Sequence, residues 1–247
     1  MTFHKKLQIL WILSHAVVLY TLIANFSLVT LVLGILWLII TNIGSEAGAH
    51  RLFTHKSYTT SPFKRKLLLF LQTFVGEGSV LAFVGVHRQH HACADREKDP
   101  HSPSQRSILS IIYWIDPIAI NPKYVTDCVR DKWIKFQHEY YFHFHALMAL
   151  LLFVDVNLYF VLVALPTTLM VYANAATNVI GHLATEKTYR NYDTNDNSVN
   201  IDGLLNILLM GGALQNNHHG KQNSYTNKFK ETDHDSMGWI IEKFLKV

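Results

Sequence analysis

The chain has 247 residues, of which 49% are hydrophobic and only 16% are charged. This composition excludes a disordered protein, because the apolar residues are numerous enough to build a core. Soluble domains carry about 25% charged residues, so the deficit of charge and a mean hydropathy of +0.13 together indicate contact with lipid. The net charge of +4 comes from basic residues scattered among the loops, so we expect no nucleic-acid partner.

The N-terminal part of the chain lacks any Lys or Arg between Leu7 and His50. Its apolar run is long enough for two membrane-spanning helices of about 17 to 20 residues each. We place these spans at residues 8–24 and 27–43, on either side of a tight turn near Asn25. The sequence therefore predicts a first helical hairpin.

A second stretch without Lys or Arg lies between Gln137 and Glu186. Its apolar residues are interrupted near Asp155, which predicts two further spans at 144–157 and 159–180. The chain is thus expected to be an all-α membrane protein with four transmembrane helices in two hairpins.

The orientation follows from the basic loops. The short turns near Asn25 and Asn157 carry no Lys or Arg, whereas all other loops do. Because basic loops remain on the cytoplasmic side of a membrane, we expect a multi-pass protein with both termini in the cytoplasm.

The fifteen histidines are grouped into boxes. The first box is HRLFTH at 50–55, the second is HRQHH at 87–91, and the last is QNNHH at 215–219. Positions i, i+3 and i+4 share one face of a helix, so the second and last boxes each direct side chains towards one point. Asn178 and His182 form a similar i, i+4 pair.

Eight imidazoles brought together without a cation would lose hydration, and those that became protonated would repel one another. Neutral imidazole suits iron, zinc or copper. Glu46, Glu77 and Asp95 lie near the boxes but not at ligand spacing, so the sequence predicts a nitrogen-rich metal site. His50 and His55 are about 140° apart on an α-helix, and they either bracket two metals or lie where the helix ends.

The boxes can meet only if all of them lie on one side of the bilayer. The apolar stretch between the first two boxes therefore cannot be a single span, and we interpret it as one interfacial helix at about 66–86. The chain is then a single domain over 1–247, whose helical cap on the cytoplasmic side comprises residues 50–140 and 182–247.

These motifs resemble the integral-membrane fatty acid desaturases, and within them the Δ9 acyl-CoA and bacterial acyl-lipid type. HRLFTHKSY, HRQHH followed by DPH at 99–101, FQHEYY at 136–141 and the pair Asn178 and His182 occur in the order and approximate spacing of that type. The resemblance covers about residues 40–245. It implies an O₂-dependent enzyme that introduces a cis double bond into an acyl chain by means of two iron ions, Fe²⁺ or Fe³⁺.

The resemblance also implies a ligand set. Carried over to this sequence, the iron ligands are His50, His55, His87, His90, His91, His182, His218 and His219. Asn178 would hold one iron through a water molecule. Gln215 stands where the family usually has a histidine, and an amide is a weaker ligand. A subgroup that tolerates glutamine, an altered reaction and an inactive homologue are all compatible with this departure.

The chain carries no Gly-rich dinucleotide motif and no cysteine cluster, so electrons must come from a partner such as ferredoxin, rubredoxin or a cytochrome b5-like protein. The acyl substrate could be linked to CoA, to a carrier protein or to a membrane lipid. The short chain favours a bacterial inner-membrane protein. A diiron alkane or lipid hydroxylase is the nearest alternative, and a membrane metal transporter is a more distant one, because its ligands would lie within the spans.

Two further expectations concern the surroundings of the boxes. Asp99 and His101 of the DPH motif are expected to support the second box from outside the metal. The polar loop that contains Asn195, Asp196, Asn197 and Asn200 is expected to be solvated.

Overall fold

The computed structural model describes residues 1–247, and its secondary structure is helical apart from isolated bridges between single residues. Helix α1 comprises Phe3–Ala24, where the Thr2 side chain caps the first turn by accepting from the backbone N–H of Lys5. Helix α2 comprises Leu28–Asn42 and continues without a break as a π-helix over Ile43–Thr54. The two helices lie over the first two predicted spans, but the π segment, which we count as the C-terminal part of α2, extends well beyond the second.

The stretch between the first two boxes is not one helix. It contains α3, Pro62–Thr73, and α4, Val80–Cys93, so the prediction of a single interfacial helix at 66–86 is wrong. The intervening loop has positive φ at Gly76 (+70°) and Gly78 (+94°). These backbone conformations favour glycine and end the helical path, although the hydropathy of the stretch is continuous.

Three short elements follow α4, namely α5 (Ile108–Tyr113) and 3₁₀ turns at Pro122–Val125 and Cys128–Arg130. Helix α6 then comprises Lys132–Ala149 and ends in a 3₁₀ turn at Leu150–Phe153. The helix predicted at 144–157 is therefore placed incorrectly, because it begins at Lys132 and stops before Asp155. Hydropathy could not reveal its charged first half, which Asp131 caps by accepting from two backbone N–H groups.

The last long helix is continuous. It comprises α7 (Val156–Tyr159), a π segment (Phe160–Ala164) and α8 (Leu165–Ile180). By length and composition three helices could cross a membrane, namely Phe3–Ala24, Leu28–Thr54 and Val156–Ile180. Helix α6 is not among them.

The remaining helices are short, namely α9 (Leu204–Leu208), α10 (Gln215–Gly220) and α11 (Ser236–Ile240), which continues as a π segment over Ile241–Leu245. Met237 and Ile241 are fully buried, and they join the same apolar cluster as Phe53 of the first box and Ala49, which precedes that box. The C-terminal segment thus packs directly against the helix that carries the first histidines.

A buried ion pair stabilises this contact. The Arg51 guanidinium donates to both carboxylate oxygens of Asp235 at 3.0 and 3.1 Å, and the two side chains are almost completely buried. Replacing Asp235 with alanine leaves a buried guanidinium unpaired, so we expect the free energy of unfolding to fall by about 3 to 5 kcal/mol. Unfolding in detergent measures this loss. The matched control is Glu139→Gln at the exposed Lys135–Glu139 pair, and equal losses in both variants would contradict the expectation.

Candidate metal centre

The first histidine group brings three helices together. His50, His55, His87 and His218 place one ring nitrogen each within 4.8 Å of the others. The π-helix explains how the first box contributes twice, because its hydrogen bonds join residues five apart. The backbone N–H of His55 donates to the carbonyl oxygen of His50 at 3.2 Å, so the two side chains lie one turn apart on the same face. His50 and His55 therefore belong to one group and do not bracket two.

The second group lies beside the first. It consists of His90, His182 and His219, whose ring nitrogens also lie within 4.8 Å of one another. Helix α4 contributes to both groups, and so does α10 through its adjacent histidines. Seven of the eight predicted histidine ligands are thus divided between two neighbouring groups, which is an arrangement suited to two metal ions.

The eighth histidine, His91, lies between the groups. Its Nε2 atom is 3.0 Å from the Nε2 atoms of both His87 and His218, and its ring centroid is 4.4 Å from that of His219. The role of His91 as a ligand remains a prediction.

Four of the histidines are held by carboxylates through Nδ1. The pairs are His50 with Glu46 (3.0 Å), His90 with Asp99 (2.9 Å), His182 with Asp95 (2.8 Å) and His219 with Asp196 (2.8 Å). Each carboxylate accepts the Nδ1 proton and so assigns the tautomer in which Nε2 carries a lone pair. This pattern is characteristic of metal-binding histidines.

Only one of these carboxylates was foreseen. The structure places Asp99 as expected from the DPH motif. Glu46 precedes His50 by four residues, so its helical spacing was a usable signal, whereas Asp95 and Asp196 lie far in sequence from the histidines they contact. The expectation that the polar loop is solvated holds for Asn195 and Asn197, which are exposed. It fails for Asn200, which is buried, and for Asp196, whose carboxylate lies against a buried imidazole.

The ring nitrogens that face inward are suited to a cation. The Nε2 atoms of His50 and His218 are 3.0 Å apart, and those of His90 and His219 are 3.3 Å apart. The Nε2 atom of His182 is buried without any hydrogen-bond partner. Lone pairs at such distances repel one another unless a proton or a metal lies between them. The donor set therefore fits two nitrogen-ligated transition-metal ions.

Burial and the carboxylate–histidine pairs together determine the pKa values of the groups around the centre. Although burial opposes ionisation of Asp95, the hydrogen bond and charge of His182 lower the pKa of Asp95 to about 2. The pKa of Asp196 is lowered in the same way by His219. Burial and the neighbouring rings lower the pKa of His219 to about 4, despite its carboxylate partner. The His219 imidazole is consequently neutral at pH 7 and able to bind a metal.

The lowered imidazole pKa predicts an acid-sensitive metal-free protein. The unfolded chain takes up protons below the ordinary histidine pKa of 6.5, whereas His219 in the folded protein remains neutral down to about 4. The contribution of His219 to the free energy of unfolding is therefore fully present above pH 6.5 and is lost as the pH falls towards 4. Thermal unfolding of the metal-free protein in detergent across this range checks the expectation. A melting temperature that is constant from pH 7 to pH 5 would contradict it.

Asn178 and Gln215 lie in neither histidine group. The Asn178 amide donates to the carbonyl oxygen of Asn174 at 2.8 Å, and the Gln215 amide donates to that of Gly212 at 2.6 Å. Both side chains line a cavity that His50 also lines. The contact of Asn178 with a metal through water, and of Gln215 with a metal, stay predictions.

The same cavity has an apolar end. Its walls there are formed by α1, α5, α8 and the residue that follows α5, through Trp11, Ile111, Ile112, Trp114, Val171 and Ala175. The cavity thus connects the first histidine group with a hydrophobic chamber, where an apolar chain would be kept from water.

Comparison with known proteins matches this arrangement to a family. The sequence model for "Fatty acid desaturase" matches residues 23–223. The chain belongs to the fatty acid desaturase family. It is therefore an enzyme, an oxidoreductase, and the resemblance inferred from the histidine boxes is confirmed. Its apolar helices and its relatives together make it a membrane protein.

Individual relatives come from distant organisms. The chain is 29% identical to the sn-1 stearoyl-lipid 9-desaturase of Anabaena variabilis, over 91% of this chain and 83% of the relative. It is 26% identical to the Delta-9 acyl-lipid desaturase 2 of Arabidopsis thaliana, over 84% and 69%. It is also 29% identical to the stearoyl-CoA desaturase of Homo sapiens, over 92% and 66%. The residues that the family model matches, 23–223, include both histidine groups.

Proposed function

We propose that this desaturase introduces a cis double bond of the Δ9 type into a fatty acyl chain, using O₂ and electrons from a separate carrier. The observation that carries the proposal is the convergence of seven predicted ligands in two groups beside an apolar cavity. The relatives named above, which are 9-desaturases or stearoyl-CoA desaturases, support the same reaction and position.

Two iron ions are the proposed cofactors. His50, His55, His87 and His218 would hold one ion, and His90, His182 and His219 would hold the other. When bound, iron supplies the O₂-dependent oxidising power that removes hydrogen from an unactivated methylene. Such a carbon offers neither an acidic proton nor a leaving group, so side-chain acids and bases alone cannot start the reaction.

The protein's own contribution is to position the chain and exclude water. The apolar end of the cavity would bind the acyl tail, while Asn178 and Gln215 present amides close to the first histidine group. The Gln215 Nε2 is engaged with Gly212, which leaves Oε1 as the atom available to a metal or to a water molecule. Of the three explanations for Gln215, namely a tolerant subgroup, an altered reaction and an inactive homologue, we favour a subgroup that tolerates glutamine at this position.

The remaining partners follow from the same reaction. The relatives act on stearoyl groups linked to lipid or to CoA, as their names state, and we propose one of these acyl forms as substrate. The electron donor would be a ferredoxin, a rubredoxin or a cytochrome b5-like protein. We further propose that the histidine groups and both termini face the cytoplasm, with α6 completing a four-helix arrangement in the inner membrane of a bacterium.

The fatty-acid profile of a host that expresses the chain tests the function. We expect a new monounsaturated acid that is absent from a host with the empty vector, and mass spectrometry of a derivative locates its double bond. A hydroxylated acid would instead indicate the hydroxylase alternative. Absence of any new lipid, with folded iron-loaded protein and an electron donor present, would contradict the proposal. Conversion of Gln215→His would then distinguish a lost activity from an untested substrate.

A further inference from the structure

One buried carboxyl group in the cavity takes no part in holding histidines. Glu77 lies in the loop between α3 and α4 and lines the same cavity as His50 and Asn178. Its Oε2 accepts from the Ser45 hydroxyl at 2.5 Å, and its Oε1 accepts from the Asn174 amide at 2.5 Å. The carboxyl is thus fixed between α2 and α8.

The loop that carries Glu77 is held rigidly on several sides. The indole N–H of Trp11 donates to the carbonyl oxygen of Gly76 at 2.7 Å. The side-chain amide of Gln72 donates to the carbonyl oxygen of Gly78 at 2.8 Å, and the backbone N–H of Gly78 donates to the Tyr141 hydroxyl at 3.2 Å. A Cβ at Gly76 would lie 2.4 Å from Thr167. These contacts hold the Glu77 carboxyl at the cavity wall.

The carboxyl also lies close to the reacting region. Asn174, which binds it, is one helical turn from Asn178 on α8, and Ser45 is five residues before His50 on α2. The distance along each helix is thus about one turn, or roughly 5 Å. A group at this position can exchange protons with molecules that occupy the cavity between Glu77 and the first histidine group.

The reaction proposed above consumes protons in this enclosed space. An acyl –CH₂–CH₂– unit, O₂, two electrons and two protons give –CH=CH– and two molecules of water. O₂ is the oxidant, the external carrier supplies the electrons, and the methylene hydrogens end in water. The remaining two protons must reach a cavity whose walls are largely apolar.

The other ionisable groups around the cavity are engaged or neutral. Glu46 on α2 accepts from the Nδ1 proton of His50. Tyr141 on α6 does not line the cavity, and its hydroxyl accepts from the backbone N–H of Gly78. The rings of His87 and His101 also line the cavity, and burial lowers the pKa of both. Glu77 alone combines a transferable proton with a position at the wall.

We propose that Glu77 is a catalytic acid, which supplies the cavity with protons consumed in the reduction of O₂. In each transfer the carboxylic O–H bond breaks, the proton passes to oxygen derived from O₂, and the carboxylate takes up one of the two solvent protons that the reaction consumes. Burial raises the pKa of Glu77 to about 7, against the hydrogen bonds from Ser45 and Asn174, which lower it. An acid with such a pKa is well matched to neutral pH. This inference rests on the proposed desaturation.

Glu77→Gln tests the inference, because the amide keeps the shape of the carboxyl but cannot supply its proton. We expect kcat to fall by about 10²- to 10⁴-fold, while iron content and the KM for the acyl substrate stay unchanged. In the unaltered protein kcat should fall as the pH rises above about 7, and this alkaline limb should vanish in the variant. Glu97→Gln, at an exposed site on the cap, is the matched control.

Two further measurements do not depend on the stability of that variant. Ser45→Ala removes a hydrogen bond that lowers the pKa of Glu77, so the alkaline limb should move to higher pH, which a purely structural role would not cause. Infrared difference spectra recorded on either side of pH 7 should show the carbonyl band of a protonated carboxyl. Its loss in Glu77→Gln assigns the band.

The outcomes separate the two proposals. Unchanged kcat and an unchanged alkaline limb in Glu77→Gln would overturn the role of Glu77, and so would a spectrum without the protonated carboxyl band. If the unaltered protein forms no double bond, the proposed function fails, while the infrared result still decides whether Glu77 carries a proton at neutral pH.

Discussion

Replacing His90 with alanine is expected to abolish double-bond formation and to remove iron from the second histidine group. His90 is 1% exposed, its Nδ1 contacts Asp99 at 2.9 Å, and its Nε2 faces that of His219. Loss of this nitrogen leaves the group with two histidines. A metal centre lowers the activation free energy of its reaction by several kcal/mol, so we expect activity to fall by at least about 10³-fold. Metal analysis of the purified protein and the fatty-acid profile of the host measure the two effects.

The matched control is His143→Ala. His143 is exposed on α6 and lies outside both histidine groups, so this variant should retain its iron and its product. A His90→Ala protein that keeps full iron content and forms the same product would contradict the ligand set. A fall of equal size in both variants would show that the loss does not arise at the metal centre.

Asp196→Asn is expected to weaken iron binding by about 10- to 100-fold, because the asparagine cannot accept the Nδ1 proton with the strength of a carboxylate. The Asp196 carboxylate lies 2.8 Å from Nδ1 of His219 and fixes the direction of Nε2. The fold should survive, since the amide has nearly the same shape. Iron affinity is measured by competition with a chelator.

A control from the same loop is available at Asp193, which is exposed. Asp193→Asn makes the same change of net charge, so it separates the local contact from a general effect on the attraction of a cation. Equal affinities in the two variants would show that the contact with His219 does not support the centre.

The sequence predicted the histidine chemistry more completely than the helices. The grouping of His87, His90, His182 and His218 followed from helical spacing, which depends only on local geometry. Their division into two groups did not, because α4 and α10 each send adjacent or near-adjacent residues to different sites. That division depends on how the helices pack against one another, which spacing along one helix does not describe.

The membrane-associated helices were predicted where hydropathy changes sharply and missed where it does not. The turn at Asn25 separates two uniformly apolar runs, and α1 and α2 lie on either side of it. Helix α6 begins with charged and aromatic residues, so only its apolar second half was recognised. The loop containing Gly76 lies within an apolar stretch, and its positive φ values depend on contacts from α1, α6 and α8.

The carboxylates that contact the histidines could be predicted only where they lie close to the histidines in sequence. Asp99 lies in a recognisable motif, and Glu46 lies four residues from its histidine. Asp95 and Asp196 contact histidines about 90 and 20 residues away in the chain, a proximity created only by folding. Spacing along the chain therefore predicts which histidines converge better than it predicts which carboxylates contact them.

The π-helix of the first box also bears on how the chain tolerates changes in length. A π-helix closes its hydrogen bonds between residues five apart rather than four, so each of its turns holds more residues than a turn of α-helix. The five-residue interval from His50 to His55 therefore matches the hydrogen-bond interval of the helix that carries it. A relative whose first box is shorter by one residue is expected to have an ordinary α-helix there, with its two histidines still on one face.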